Sequence, residues 1–199
     1  PDNCRLFCPD EANSNRIGAV FEVSDRTWME EVTADDEKLS RNGRVMEVLS
    51  EHLTHGWLEA YNLTGRHGLF ATYEAFAMVS ASQTIQHSKW LQEANELDWR
   101  AEIPSLNILV SSTAWRNDHN GFSHQGPGML QLLLNMGTGI GRAYLPPDAN
   151  SLLAVSDRCF RSTNYVNLIV QDKQPQPQWL TMDEAIDHLE KGASVWEWA

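Results

Sequence analysis

The chain has 199 residues, 42% of them hydrophobic, with a formal net charge of -12 at pH 7. That length can bury one good core, and a single domain is the plain reading. The acidity argues against nucleic acid or an anionic membrane surface as a partner, because both select a basic face, and an anionic small ligand would need a few placed Arg or Lys side chains to receive it.

Residues 1–43 read as an irregular leading segment, mixing Cys, Pro, Asn and Arg with the polar turn PDEANSNR and one strand-like run, IGAVFEV. Asp35 to Arg44 is charged and loop-like, and a brief strand follows from Arg44 to Leu49. Ser50 can cap the next helix, in which Leu53, Trp57, Leu58 and Tyr61 repeat at helical spacing up to Gly65. Gly68 to Thr72 is a short strand. Residues 74–97 are expected as one long helix, with Phe76, Val79, Ile85, Trp90 and Leu91 among its inward candidates. Leu106 to Val110 is an apolar strand that breaks into a polar loop and then, past Gly126, Pro127 and Gly128, into a helix near 127–136.

A strand at Arg142 to Leu145 ends at Pro146 and Pro147. Asp148 can cap a helix with Leu152, Leu153, Val155 and Phe160 among its apolar positions. YVNLIV, 165–170, is a β-branched strand leading into the loop QDKQPQPQ. Thr181 to Glu184 forms a capping box for a helix with Ile186 and Leu189 on one face. The final SVWEW resembles a closing strand. Strands alternating with helices indicate an α/β protein, a doubly wound three-layer sandwich on a mostly parallel sheet.

Ligands in such sheets sit beyond the carboxyl ends of the strands, which draws attention to WRNDHNGFSHQGPG, the loop after Val110. His119 and His124 could share a metal, but no carboxylate at a familiar spacing completes a zinc set. They could equally hydrogen-bond to backbone, or face a cleft as phosphate donors or proton shuttles. Glu51, in the first turn of a helix, is stabilised there by the dipole; buried at a cleft, it could instead share a proton with a heteroaromatic nitrogen. Tyr73 and Phe76 are ordinary core aromatics on the same evidence, and Lys173 suits either an anion or solvent. GTGIG, 137–141, imitates a nucleotide-binding pattern in the reversed helix-to-strand order. Cys4, Cys8 and Cys159 form no C-x-x-C pair, so neither a disulfide framework nor a zinc site is indicated and a reducing, cytosolic setting fits best. No apolar run reaches membrane-spanning length and no signal peptide is present. The start at Pro1 and the stop at WEWA suggest processing or a piece of something longer.

The blocks SEHLTHGWLEAYNLTGRHGLFATYEAF, WRNDHNGFSHQGPG, YLPPDAN, DKQPQPQWLTMDEA and the terminal WEWA, in this order, resemble the phosphoketolases acting on xylulose 5-phosphate or fructose 6-phosphate. These are thiamine-diphosphate enzymes related to transketolase. Family members are several times longer, so the resemblance is to their middle, pyrimidine-binding domain, over residues 1–199. It implies that the cofactor lies between domains of two subunits. The half that grips the diphosphate through Mg2+ and a GDG-type motif is absent from this chain, which carries no GDG and no implied metal ligand.

By the same resemblance Glu51 bonds to the pyrimidine nitrogen and promotes the imino tautomer that forms the ylid. Tyr73 and Phe76 sit against the pyrimidine ring, and Ser14, Arg16, His119, Asn120 and Lys173 bind the substrate phosphate and inorganic phosphate. His124 lies near the substrate hydroxyls as a proton-transfer group. The implied products are an aldose phosphate and acetyl phosphate. Three places depart from the family's pattern: Leu53-Thr54-His55 for a more polar stretch, Gly126 for Asp, and Asp172 for Gly. A carboxylate at 172 is expected to weaken the pull of Lys173 on phosphate. The competing readings are a non-catalytic domain that binds only partner protein and a transketolase-like transfer to an aldose. The 199 residues alone are expected to show no turnover.

Overall fold

The two stretches richest in branched aliphatic residues become the inner strands of the sheet, because only a strand covered on both faces tolerates an unbroken apolar run. They are β6 (Leu106–Ser111) and β8 (Val166–Gln171), buried at every position and paired in parallel with Leu106 opposite Val166. The structure, a computed structural model, describes residues 3–111, 126, 128–137, 139–196 and 198. Six more strands complete the sheet: β1 (Cys4–Cys8), β2 (Arg26–Thr27), β3 (Leu39–Ser40), β4 (Val45–Glu47), β5 (His67–Tyr73) and β7 (Gly141–Tyr144). Their order is β3-β2-β4-β1-β5-β6-β8-β7, and every named pair is parallel.

Alternation along the strands sends side chains to two cores. Phe7, Phe70, Leu106, Ile108, Val110 and Leu168 join Leu58 of helix α1 (Glu51–Leu63), Leu91 of α3 (Ala81–Asn95) and Met129 and Leu133 of α4 (Gly128–Leu134). On the opposite face Leu6, Cys8, Val45, Ala71, Leu109 and Ile169 meet Val155 and Cys159 of α5 (Ala149–Arg161). The doubly wound three-layer sandwich is therefore observed. Gly68 lets α1 lie directly on β5: a Cβ there would stand 2.5 Å from Leu58 Cδ1.

The helix starts follow the sequence closely. Ser50 accepts the Leu53 amide, Asp148 accepts the Ser151 amide, and Thr181 with Glu184 closes a full capping box on α6 (Met182–Lys191). Among the described residues no helix is long and apolar enough to cross a membrane.

Several expectations are corrected. The leading segment 1–43 is not irregular: β1 within it lies between β4 and β5, and β2 and β3 extend the same sheet, with β3 inside the stretch expected as loop. IGAVFEV forms a 3-10 turn at Gly18–Glu22, which buries Phe21 and leaves Val23 74% exposed. The helix expected over 74–97 is broken into α2 (Glu74–Ala77), a 3-10 turn at Met78–Ser80 and α3. At that break the Ser80 hydroxyl donates to the Ala77 carbonyl, drawing an acceptor off the α-helical ladder. The inward face of α3 is Ala81, Thr84, His87, Ser88 and Leu91, whereas Val79 is exposed. Likewise α1 buries Thr54 and His55 while Leu53 points outward, and Leu153 of α5 is exposed. Residues 194–196 form no strand; Trp196 and Trp198 instead stack on Trp179, with ring centroids 6.4 and 5.3 Å away.

Candidate functional site

The order of the strands locates the site. From β1 the chain builds β2 to β4 on one side, then crosses to β5 and continues outward on the other. Loops leaving β1 and its neighbours therefore diverge at their carboxyl ends, and a crevice opens there. Along that one edge stand Glu51 (after β4), Asp10 to Arg16 (after β1), Tyr73, Glu74 and Phe76 (end of β5), Ser111 (last of β6) and Lys173 (after β8). Glu51 follows a strand two places from the one that ends in Tyr73, a separation of about 10 Å across the sheet.

Five of the predicted residues, Ser14, Arg16, Tyr73, Phe76 and Lys173, form one cluster. Lys173 Nζ lies 3.9 Å from the centroid of the Tyr73 ring, and the Tyr73 and Phe76 rings meet edge to face at 6.0 Å. Burial pushes the Tyr73 phenol up, Ser14 opposes this and the charge of Asp10 adds to it. Burial pushes the Lys173 ammonium down, and Arg16 pushes it the same way while Asp10 pulls it back up. Ser14, Arg16, Tyr73 and Lys173 thus share one electrostatic environment.

Asp10 is a carboxylate that pulls the Lys173 ammonium up, and Asp172, adjacent in sequence, is engaged in its own turn. Asp172 Oδ1 accepts the Gln174 amide at 2.8 Å and Oδ2 accepts Gln176 Nε2 at 2.6 Å, so its charge is turned into its own loop.

The loop bearing Ser14 and Arg16 is held by the residue between them. Asn15, fully buried, takes the Ser111 hydroxyl on Oδ1 at 2.6 Å and donates Nδ2 to the Glu11 carbonyl at 3.2 Å. Its carbonyl accepts Gln171 Nε2 from β8 at 3.2 Å. The start of the loop is pinned by Glu47, which accepts the Ala12 amide at 2.7 Å and pairs with Arg26 at 2.5 Å. Arg16 itself sits at φ 61°, a conformation that a bulky residue adopts only where its surroundings fix it.

Glu51 is the first residue of α1 and is half-buried, and among the described residues its carboxylate takes no hydrogen bond or ion pair. Glu74, next to Tyr73, is 3% exposed, and burial pushes its carboxyl up. Cys8 and Cys159 are buried and pushed up to about 12 by that burial, so they are inert thiols.

His119, Asn120 and His124 lie outside the described residues. Among the described residues no group of three or more His, Cys, Asp or Glu could hold a metal ion. Sequence reasoning missed Asp10, Asn15, Glu74 and Ser111. Asp10 and Asn15 carry a signal, since both belong to the PDEANSNR turn that supplies Ser14 and Arg16; Glu74 and Ser111 are marked only by following strand ends.

The fold is that of the transketolase-like α/β proteins. A transketolase mutant from Pichia stipitis superposes with a TM-score of 0.65, covering 92% of this chain and 25% of that one at 14% identity, a likeness of fold alone. The family model for D-xylulose 5-phosphate/D-fructose 6-phosphate phosphoketolase matches residues 1–162, and the model of that family's C-terminal domain matches 173–199. The chain belongs to the phosphoketolase family. A probable phosphoketolase 1 of Rhizobium meliloti is 56% identical over 99% of this chain, and a probable phosphoketolase of Synechococcus elongatus is 57% identical over all of it. This chain spans about a quarter of the length of these relatives, 25% and 26%.

Proposed function

We propose that the chain is the aminopyrimidine-binding half of a thiamine-diphosphate-dependent phosphoketolase. In this reading it splits xylulose 5-phosphate or fructose 6-phosphate with inorganic phosphate, giving acetyl phosphate, an aldose phosphate and water. The observation that carries it is a carboxylate, Glu51, unpartnered among the described residues and on the same sheet edge as a cluster of two cations and two aromatic rings.

These residues fit the cofactor. A half-buried carboxylate without a partner is a ready acceptor for a ring N–H, and an edge-to-face aromatic pair offers a flat apolar wall to a pyrimidine. Bound there, thiamine diphosphate supplies the carbon nucleophile that breaks the ketose, while Mg2+ and its diphosphate belong to a domain outside this chain. Glu51 holds the proton on the pyrimidine nitrogen. Lys173 and Arg16 supply positive charge for phosphate, with Ser14 as a hydroxyl donor, and Asp10 offsets part of the burial and Arg16 charge that push the Lys173 ammonium down. His119 and Asn120 complete the phosphate site and His124 moves a proton at the sugar hydroxyls. The remaining domains and a second subunit close the crevice, in a reducing cytosol that keeps the three thiols free.

The test is acetyl phosphate formation by the complete enzyme supplied with thiamine diphosphate, magnesium, phosphate and fructose 6-phosphate. Glu51→Ala lowers the rate by about a hundredfold or more; an unchanged rate defeats the assignment. Two-carbon transfer that proceeds without phosphate would favour a transketolase-like reaction. The 199 residues alone give no turnover.

A further inference from the structure

The segment between β8 and α6 carries Lys173 and then runs exposed from Pro175 to Trp179 before Leu180 is buried again. A cleft of about 530 Å3 lies beside it, with Arg16, Gln171, Asp172, Gln174, Pro147 and Asp148 among its lining. Trp179 at its far end stacks on Trp196 and Trp198, and the rest of the segment, exposed beside the cleft, is held by hydrogen bonds.

Those bonds converge on one buried side chain. Asp148, 6% exposed, uses Oδ1 to cap α5 through the Ser151 amide at 2.8 Å. Its Oδ2 accepts three donors from the far segment: Gln178 Nε2 at 2.6 Å, the Trp179 amide at 2.9 Å and the Leu180 amide at 2.7 Å. Asn150 Nδ2 adds a bond to the Leu180 carbonyl at 2.8 Å. At the other stem Gln171 is tied to Asn15, and Asp172 closes its own turn. A helix cap needs one oxygen, and the second is spent on the loop.

We infer that Asp148 is a positioning residue for phosphate recognition: its carboxylate clamps the 172–180 loop so that Lys173 stays against Tyr73 and beside Arg16. This rests on the phosphate-binding reading of Lys173. Four hydrogen bonds to a single carboxylate hold its pKa below the usual range against the opposing effect of burial, as expected for an anion used as a structural anchor.

Asp148→Ser separates the two duties. Serine is as good a helix cap as aspartate, but its one short oxygen cannot reach Gln178, Trp179 and Leu180. In the complete enzyme the variant raises the KM for phosphate about tenfold and leaves kcat within about threefold, because a cation displaced by about an ångström loses binding before chemistry. Lys173→Met raises the same KM, and Asp148→Ser added to it changes little further, since the clamp acts through the lysine. The same factor in both backgrounds, or no change in KM, reduces Asp148 to a helix cap and overturns the proposal. If Lys173→Met alone leaves the phosphate KM unchanged, the phosphate reading fails, and amide exchange then judges the clamp. Exchange at 174–180 speeds up in Asp148→Ser if the clamp stands, and unchanged exchange removes it.

Discussion

Asn15 offers a direct test of how the β1 loop is held, because its fully buried side chain bonds to Ser111, to the Glu11 carbonyl and, more weakly, to Cys8 Sγ. Replacing it with alanine removes the acceptor of the 2.6 Å bond from Ser111 and the donor of the 3.2 Å bond to the Glu11 carbonyl. Ser111 is itself fully buried, and its remaining contact, to the Thr72 carbonyl, is long at 3.5 Å. One good hydrogen bond is worth about 1 kcal/mol net and a stranded buried group about 1–3 kcal/mol, so Asn15→Ala should destabilise the chain by about 2–4 kcal/mol. Urea denaturation of the 199-residue chain at pH 7, followed by tryptophan fluorescence, reads this as a midpoint lowered by about 1–2 M. In the complete enzyme the same change loosens Ser14 and Arg16 and raises the KM for phosphate. A stability change under about 0.5 kcal/mol would mean that Glu47 and the backbone hold the loop unaided, and the reasoning would be wrong.

His87, buried between α1 and α3, is pushed down from 6.5 to about 4, chiefly by burial, with Glu59 opposing and His55 reinforcing. Between those values the unfolded chain binds a proton that the folded one refuses, so stability falls as pH drops from 6.5 to 4, by up to about 3 kcal/mol; His87→Leu should flatten that limb in urea midpoints taken across the range. Leu58→Ala, at a fully buried position, should cost about 2–5 kcal/mol. Gly68→Ala should cost about 1–3 kcal/mol by driving a methyl into Leu58, and the double variant should lose clearly less than the sum, since the smaller residue at 58 makes room. Asp172→Asn should leave the phosphate KM within about twofold, because an amide oxygen can still take the Gln174 proton; a large fall in KM would restore Asp172 as a charge acting on Lys173.

The sequence by itself determined the features that depend on neighbours within a few positions. Ser50, Asp148 and the Thr181–Glu184 box are local hydrogen-bonding patterns, so the helix starts were legible. The apolar runs LNILVS and VNLIVQ could only be doubly covered strands, and the α/β class followed from them. By resemblance, the family blocks also single out Glu51, Tyr73 and Lys173 as candidates.

Tertiary structure decided what depends on partners far along the chain. CRLFC reads as unremarkable until β4 and β5 pair with it on either side, and IGAVFEV, β-like in composition, has no strand to pair with and turns Phe21 inward instead. The polar inner faces of α1 and α3 exist because His55 and Thr84, 29 residues apart, satisfy each other at 3.0 Å. The same holds for charge. Asp10 is remote from Lys173 in sequence yet acts on it, while the adjacent Asp172 is occupied by its own turn, because a carboxylate's influence follows distance and hydrogen bonding in space and not order along the chain.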